Sequence, residues 1–249
     1  MHPFIAGTGG YLPQQVVTNH DLAAKIDTTD AWIRSRTGIG QRHVVSEGES
    51  TSTLATQAAL QALEDARTSA DTVDMVIVAT LSPDYAFPGV ATQVQAAIGA
   101  HNAVAFDIQA ACSGFIYGLS MAEAYMQTGK AQTVLLIGAE VFSRILDWND
   151  RTTSVLFGDG AGAVVLKATD NPQIGLMGSD IYSDGRYVND LRSHGGVATE
   201  LKTGVDMNGR EVFKHASRAM ADMVEKLDHA PLAYGANCGV GASDLLRTV

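Results

Sequence analysis

The chain has 249 residues, 46% of them hydrophobic, and a formal net charge of −10. That length holds one large domain or two modest ones with a sizeable core, and the negative balance argues against a general nucleic-acid binder. No run of eighteen or more uncharged apolar residues occurs, so no membrane span is expected. Met1-His2-Pro3-Phe4 has no basic stretch ahead of an apolar one, so no secretory signal is read there. Two cysteines suit a reducing cytoplasm better than a disulfide scaffold.

Residues 4–9 read as a strand. Leu54, Ala58, Ala62 and Ala66 recur at helical spacing, with Ser50 to Ser52 offering caps. Residues 74–79 read as a buried strand, and 88–98 as a helix with proline near its start. The next strand is 103–108, followed by a helix over 113–127. Strands follow at 133–139 and 162–168, and 174–182 could continue the sheet. Residues 183–208 are polar and glycine-rich, an irregular excursion before a helix over 210–227. Strands alternating with helices imply a layered α/β architecture around a largely buried sheet. No short-period repeat or low-complexity segment is present.

Cys112 is the candidate for chemistry. It stands in Asp107-Ile108-Gln109-Ala110-Ala111-Cys112-Ser113-Gly114-Phe115, where an apolar strand runs into small residues and then a helix. A thiol on the first turn of a helix meets unpaired N–H groups and the positive end of the dipole, which favour thiolate. Small neighbours let a carbonyl approach, the layout of an activated nucleophile. On spacing alone, a buried structural thiol is the commoner alternative.

Four further segments stand beside it: Thr29-Asp30-Ala31-Trp32-Ile33-Arg34-Ser35-Arg36-Thr37-Gly38-Ile39 with Arg42, Ala79-Thr80-Leu81-Ser82-Pro83-Asp84-Tyr85-Ala86-Phe87-Pro88, Leu156-Phe157-Gly158-Asp159-Gly160-Ala161-Gly162-Ala163, and Met207-Asn208-Gly209-Arg210-Glu211-Val212-Phe213-Lys214. In this order, over about residues 1–227, the chain resembles the β-ketoacyl-acyl-carrier-protein synthase III family of the thiolase-like fold. The resemblance implies a thiolase-like layered α/β fold and an acyltransferase of fatty-acid or related polyketide synthesis. It implies that Cys112 accepts an acyl group from acetyl-CoA or another short acyl-CoA, and that the acyl-enzyme condenses with malonyl-acyl carrier protein. Acyl-CoA is then a substrate, and no cofactor is implied.

The same resemblance distributes roles. Trp32 and Arg151 match positions that sandwich the adenine of CoA, and an indole and a guanidinium can both stack on a base. Thr28 and Arg36 match positions near the nucleotide and its phosphates. Met207, Gly209 and Phe213 match the mouth of the pantetheine tunnel, with ordinary packing as the alternative. Arg210, Lys214 and Arg218 recur every four residues on one helix face and suit an acidic carrier protein, although a solvated face has the same pattern. Phe87 matches a residue that crosses a dimer interface to close the partner's acyl pocket, with core burial as its alternative. A homodimer in the cytoplasm is the expected state. Gly158 to Gly162 lacks the lysine and hydroxyl residue of a P-loop, so close backbone packing is the better reading.

The resemblance stops after Leu227. The family's Pro-His-Gln-Ala-Asn-like and His-Gly-Asn motifs are not found, and none of His2, His20, His43, His101, His194, His215 and His229 lies in a comparable motif. The expected organisation is a complete N-terminal thiolase-like half over 1–170, the start of the C-terminal half over 171–227, and an atypical tail over 228–249. On that reading condensation is impaired, and a non-catalytic CoA- or carrier-binding remnant or a non-folding fragment are the alternatives. Gly235-Ala236-Asn237-Cys238-Gly239 resembles a Gly-x-Asn-Cys segment of zinc-dependent homocysteine methyltransferases, which would make the tail foreign. One cysteine is not a zinc site, so no metal is assigned.

Overall fold

The computed structural model describes residues 1–176, 178–194 and 204–225. In chain order the elements are β1 (His2–Tyr11), β2 (Gln15–Thr18), α1 (Asn19–Ala23), α2 (Asp30–Thr37), β3 (Gln41–Val44), α3 (Thr51–Asp65), β4 (Met75–Ala79), α4 (Val90–Ile98) and β5 (Val104–Ile108). After these come α5 (Gly114–Gln127), β6 (Thr133–Val141), β7 (Asp159–Thr169), β8 (Leu191–Ser193), β9 (Val205–Met207) and α6 (Gly209–Glu225). They fall into two units. The first comprises Met1–Gln14, Val45–Val141 and Asp159–Ile181; the second comprises Gln15–Val44, Phe142–Gly158 and the chain from Tyr182 onward.

The first unit is built on a five-stranded mixed sheet in the order β1-β7-β6-β4-β5. β4 runs parallel to both β5 and β6, while β7 is antiparallel to β6 and to β1. Period-two alternation divides its side chains between two cores. Val76, Val78, Leu135, Ile137, Ala163 and Val165 pack in the cluster that takes in α3 and α4. Met75, Ile77, Val134, Leu136, Val164 and Leu166 pack in the one that takes in α5. With both faces covered, β4 and the body of β6 read as continuous apolar runs, and every residue of β4 is buried.

Two helices reach the sheet at backbone range because glycine faces them. A Cβ on Gly9 of β1 would strike the Ala58 carbonyl oxygen and the Ala62 amide of α3. On the other face, a Cβ on Gly118 of α5 would overlap Leu136, and one on Gly114 would stand 3.0 Å from the Ala79 Cβ. Gly114 and Gly118 are one helical turn apart, so α5 has a glycine seam where it crosses β4 and β6. α3 begins with a reciprocal cap in which Ser50 and Thr53 exchange side-chain and backbone bonds.

The second unit has a smaller core of Leu22, Ile33 and Val155, flanked by Val17, Ile26, Trp32, Ile39, Trp148 and Leu156. β2 and β3 form an antiparallel ribbon. Its interior strut is Arg42, only 5% exposed, which donates to the Val17 and Val155 carbonyls and to Asn19 Oδ1. Asn19 in turn donates to Asp30 at 2.8 Å, and this bond with the Arg34 pair holds the Asp30 carboxyl below its ordinary pKa. β8 and β9 form a second short ribbon ahead of α6.

The elements expected over 4–9, 74–79, 103–108, 133–139 and 162–168 are present as strands, and the four expected helices are present with boundaries moved by a few residues. Two expectations change. Residues 174–182 do not continue the sheet: among the described residues of that stretch there is no strand. Gly175 takes φ +104°, and a Cβ there would strike the Pro3 carbonyl oxygen. Single bonds from Leu176 N to Pro3 O and from His2 Nε2 to Ile174 O replace a ladder. The excursion over 183–208 is not wholly irregular, since it holds β8, β9 and a short 3₁₀ turn at Gly185–Tyr187. The segment 228–249 lies outside the described residues.

Candidate active site

β4, β5 and β6 are parallel and in register, Ala79 standing level with Ile108 and with Gly138. Their carboxyl ends open on one edge of the sheet, the end where α/β sheets bind ligands. Cys112 emerges there. It lies four residues beyond β5, in a 3₁₀ turn over Ala111–Ser113 that leads into α5. Ala111 has φ +46°, a left-handed conformation at a residue with a Cβ. Such a conformation costs on the order of 1–3 kcal/mol and persists only when the surroundings enforce it. Here the glycine seam of α5 on one side and the β5 ladder on the other leave five residues to turn a strand into a helix. Cys112 is partly exposed at the apex, and an anion there meets the positive end of α5. The buried structural thiol considered from spacing does not describe this geometry.

The loop between β4 and α4 leaves the same sheet edge. Its root is tied to the end of β6: Glu140 accepts from Leu81 N at 2.9 Å and from Ser82 Oγ at 2.6 Å, and Ser82 Oγ accepts from Val141 N at 2.8 Å. Burial pushes the Glu140 carboxyl above its ordinary pKa against the opposing pull of these hydrogen bonds. Asp84, in the middle of the loop, accepts from Thr51 N and Ser52 N at the start of α3. Asp107 of β5 accepts from Val90 N and Ala91 N at 2.7 and 2.6 Å, capping α4 where Gly89 supplies no side chain. Between these ties Phe87 stands 86% exposed, so its alternative of core burial is excluded.

In the second unit, Trp32, Arg36 and Arg151 come together. Thr29 caps α2 by accepting from Trp32 N, and Trp32 is half-buried against the small core. Arg36, one turn along α2, holds its guanidinium carbon 4.6 Å from the indole centroid, and Arg151 holds its own at 4.9 Å. Arg151 also donates to the Asp27 carbonyl at 2.9 Å. The turn that carries Arg151 is closed by Asp150; burial raises the Asp150 pKa, but hydrogen bonds from Thr152 and Thr153 outweigh it and leave the carboxyl lowered. Thr28 Oγ1 is buried with no hydrogen-bond partner among the described residues.

Met207 ends β9 and Gly209 opens α6; Phe213 is 59% exposed. Arg210, Lys214 and Arg218 are all exposed along α6. Lys214 pairs with Glu211 at 3.2 Å, which holds the Glu211 carboxyl low. His215 is half-buried, its ring tilted against Tyr187 with centroids 3.8 Å apart. Gly158, Gly160 and Gly162 form no phosphate cradle. Asp159 between them is buried and accepts from Val45 N at 2.7 Å, and a Cβ on Gly158 would stand 2.9 Å from the His43 carbonyl oxygen. Among the described residues no cluster of His, Cys, Asp or Glu could hold a metal ion, and no helix is long and apolar enough to cross a membrane.

Cys112 and Phe87 therefore belong to the first unit, and Thr28, Trp32, Arg36, Arg151 and the α6 residues to the second. Motif reading passed over Glu140. Its signal is a carboxylate closing the apolar run of β6, where a fully hydrophobic end would be ordinary.

A family model described as 3-oxoacyl-[acyl-carrier-protein (ACP)] synthase III matches residues 106–185, a span containing Cys112. The β-ketoacyl-[acyl-carrier-protein] synthase III of Paramagnetospirillum magneticum is 53% identical over 225 residues, 88% of this chain and 69% of its own length. That of Cereibacter sphaeroides (strain ATCC 17023) is 49% identical over 245 residues, 97% of this chain and 74% of its own length. Among solved structures, the 3-oxoacyl-(acyl carrier protein) synthase III of Pseudomonas aeruginosa PAO1 superposes with a TM-score of 0.84 at 41% identity, covering 91% of this chain and 70% of that one. An alignment over 97% of the chain runs into 228–249, so a foreign methyltransferase origin for the tail has no support.

Proposed function

This chain belongs to the β-ketoacyl-[acyl-carrier-protein] synthase III family, and on that premise we propose that Cys112 is its acyl acceptor. The chain is a thiolase-like acyltransferase, a condensing enzyme of fatty-acid biosynthesis. In the proposed first half-reaction the Cys112 thiolate attacks the thioester carbonyl of acetyl-CoA or another short acyl-CoA. The new carbon–sulfur bond forms as the old one breaks, and CoA leaves as its thiolate. In the second, malonyl-acyl carrier protein loses carbon dioxide. The resulting carbanion attacks the acyl carbon, forms the carbon–carbon bond and returns Cys112 as thiolate. Neither step transfers electrons to an external acceptor, so acyl-CoA enters as substrate and no resident cofactor is invoked.

The remaining assignments follow the same reading. Trp32 and Arg151 take the adenine, Thr28 and Arg36 the nucleotide and its phosphates, and Met207, Gly209 and Phe213 the pantetheine arm. Stacking on an aromatic face contributes about 1–3 kcal/mol per base. Two stacking layers need about 3.5 Å each, more than the 4.9 Å at which Arg151 rests on Trp32, so Arg151 swings away to admit the base. Arg210, Lys214 and Arg218 form the dock for an acidic carrier protein. Phe87 closes the acyl pocket of a partner in a cytoplasmic homodimer. Residues 1–170 are the first thiolase-like half, and 171–227 begin the second.

The observation that carries the proposal is the strained Ala111 turn that presents Cys112 at the head of α5. The test is intact mass after incubation with acetyl-CoA. Wild type is expected to gain one acetyl group and Cys112→Ala none. Equal labelling of both would overturn the assignment; no labelling of either, with CoA still bound, would favour a binding role instead.

A further inference from the structure

The β4–α4 loop has a job that its length alone could not do. Fixing a residue's backbone costs about 1–2 kcal/mol, and a loop holding an aromatic ring 86% exposed gains no burial from that ring within its own chain. Yet the loop is tied at root, middle and end by Glu140, Asp84 and Asp107, each collecting backbone amides. Asp84 and Asp107 cap helices, which is reason enough for them. Glu140 caps nothing. It puts a carboxylate at the buried end of β6 and uses it to grip Leu81 N and Ser82 Oγ.

Ser82 makes the tie two-way. Its hydroxyl donates to Glu140 at 2.6 Å and accepts from Val141 N at 2.8 Å, while its carbonyl accepts from Thr51 Oγ1 at 2.5 Å. One serine thus joins the loop root to the end of β6 and to the start of α3. The tie leaves two large side chains outward, Tyr85 at 61% exposed and Phe87, the more exposed, at 86%. We propose that Glu140 and Ser82 are positioning residues that hold the Phe87 arm in one pose and thereby help to set which acyl primers the enzyme accepts. The link to primer choice rests on the reading of Phe87 as an acyl-pocket residue; the positioning role does not.

The test compares the whole chain with Ser82→Ala, Glu140→Ala, Glu140→Gln and Phe87→Ala by two readouts. The first is hydrogen–deuterium exchange of the Thr51 and Ser52 amides, which the Asp84 carboxylate of the arm holds. Loss of one net hydrogen bond corresponds to about tenfold faster exchange, which is expected in Ser82→Ala and Glu140→Ala. Glu140→Gln keeps an acceptor for Leu81 N and is expected to remain near the parent. The second is competitive labelling of Cys112 by acetyl-CoA and a branched acyl-CoA in one tube, where the ratio is independent of the active fraction. A shift of roughly threefold or more is expected in Ser82→Ala, Glu140→Ala and Phe87→Ala, with Glu140→Gln near the parent. Parent-like exchange in both alanine variants at the tie would overturn the positioning role. Raised exchange with an unmoved ratio, while Phe87→Ala does move it, would overturn the link to primer choice. A ratio unmoved by Phe87→Ala itself would refute the pocket reading and the link together, and leave exchange to decide the positioning role.

Discussion

Gly9 and Gly10 are adjacent in β1 and point to opposite faces of the sheet, and replacing each by alanine should give very different results. A Cβ at position 10 would find the Ala161 carbonyl oxygen at 3.7 Å, an ordinary contact. A Cβ at position 9 would run into the Ala58 carbonyl oxygen and the Ala62 amide, with Gln61 Cβ at 2.9 Å. These are atoms of a helix wall, and no side-chain rotation removes them. α3 has to move off the sheet, although Leu54, Ala55, Ala58, Ala59 and Ala62 are all 0% exposed there. Overpacking of this kind costs about 1–3 kcal/mol and sometimes more; with backbone on the far side, about 3 kcal/mol is expected for Gly9→Ala. Gly10→Ala should stay within about 0.5 kcal/mol of the parent, because alanine also restricts the unfolded chain. In a chain of this size 1 kcal/mol moves Tm by about 2–4 °C, so Gly9→Ala should melt roughly 6–12 °C lower and Gly10→Ala within a degree or two. Paired thermal and urea unfolding would decide. Equal midpoints for the two variants would refute the claim that backbone contact, rather than glycine content, seats α3.

Two further outcomes are expected. Burial raises the Glu140 pKa in the folded state, so folding favours its protonated form, and stability from this group is present at low pH and lost as pH rises from the ordinary glutamate value through the folded one. Glu140→Gln should remove that decline, narrowing the gap in urea midpoint between pH 4.5 and 8; an unchanged gap would count against a desolvated carboxyl. Lys214→Glu should raise the KM for carrier protein about three- to tenfold at low ionic strength and much less at 0.5 M salt, with acetyl transfer to Cys112 unaltered. A salt-independent change would mean that α6 is not the dock.

The centre of the sheet was legible because its strands are short unbroken apolar runs. β4 is buried on both faces and reads as Met75-Val76-Ile77-Val78-Ala79 with nothing polar in it. Ser50 announced α3, and the bond from Thr53 N to Ser50 Oγ bears it out. Cys112 was readable at a strand-to-helix junction, whereas the positive φ at Ala111 belongs to a residue type that gives no warning of it. Trp32 and Arg36 are one helical turn apart and so were close on spacing alone; Arg151 reaches the same ring from a distant loop, and only the resemblance brought it in. The ties of the β4–α4 loop were illegible. Glu140, Asp84 and Asp107 act on amides far along the chain, and a side chain that bonds to backbone leaves no pattern in its partner. At residues 174–182 apolar content suggested a strand, and the φ of Gly175 decided otherwise.

The glycine seam of α5 has a consequence for how such an enzyme can change. Because Gly114 lies against the Ala79 Cβ and Gly118 against the tip of the Leu136 side chain, the height of α5 above the sheet, and with it the height of Cys112, is set where the helix itself has no side chain to vary. Drift in core residues elsewhere has little leverage on the reacting sulfur. The loop that presents Phe87 is held by hydrogen bonds that single substitutions can loosen or redirect. A lineage could therefore explore new primers by altering the loop while the sulfur stays where it was, and selection in the laboratory for altered substrate range should collect its first mutations over 81–89 rather than over 111–118.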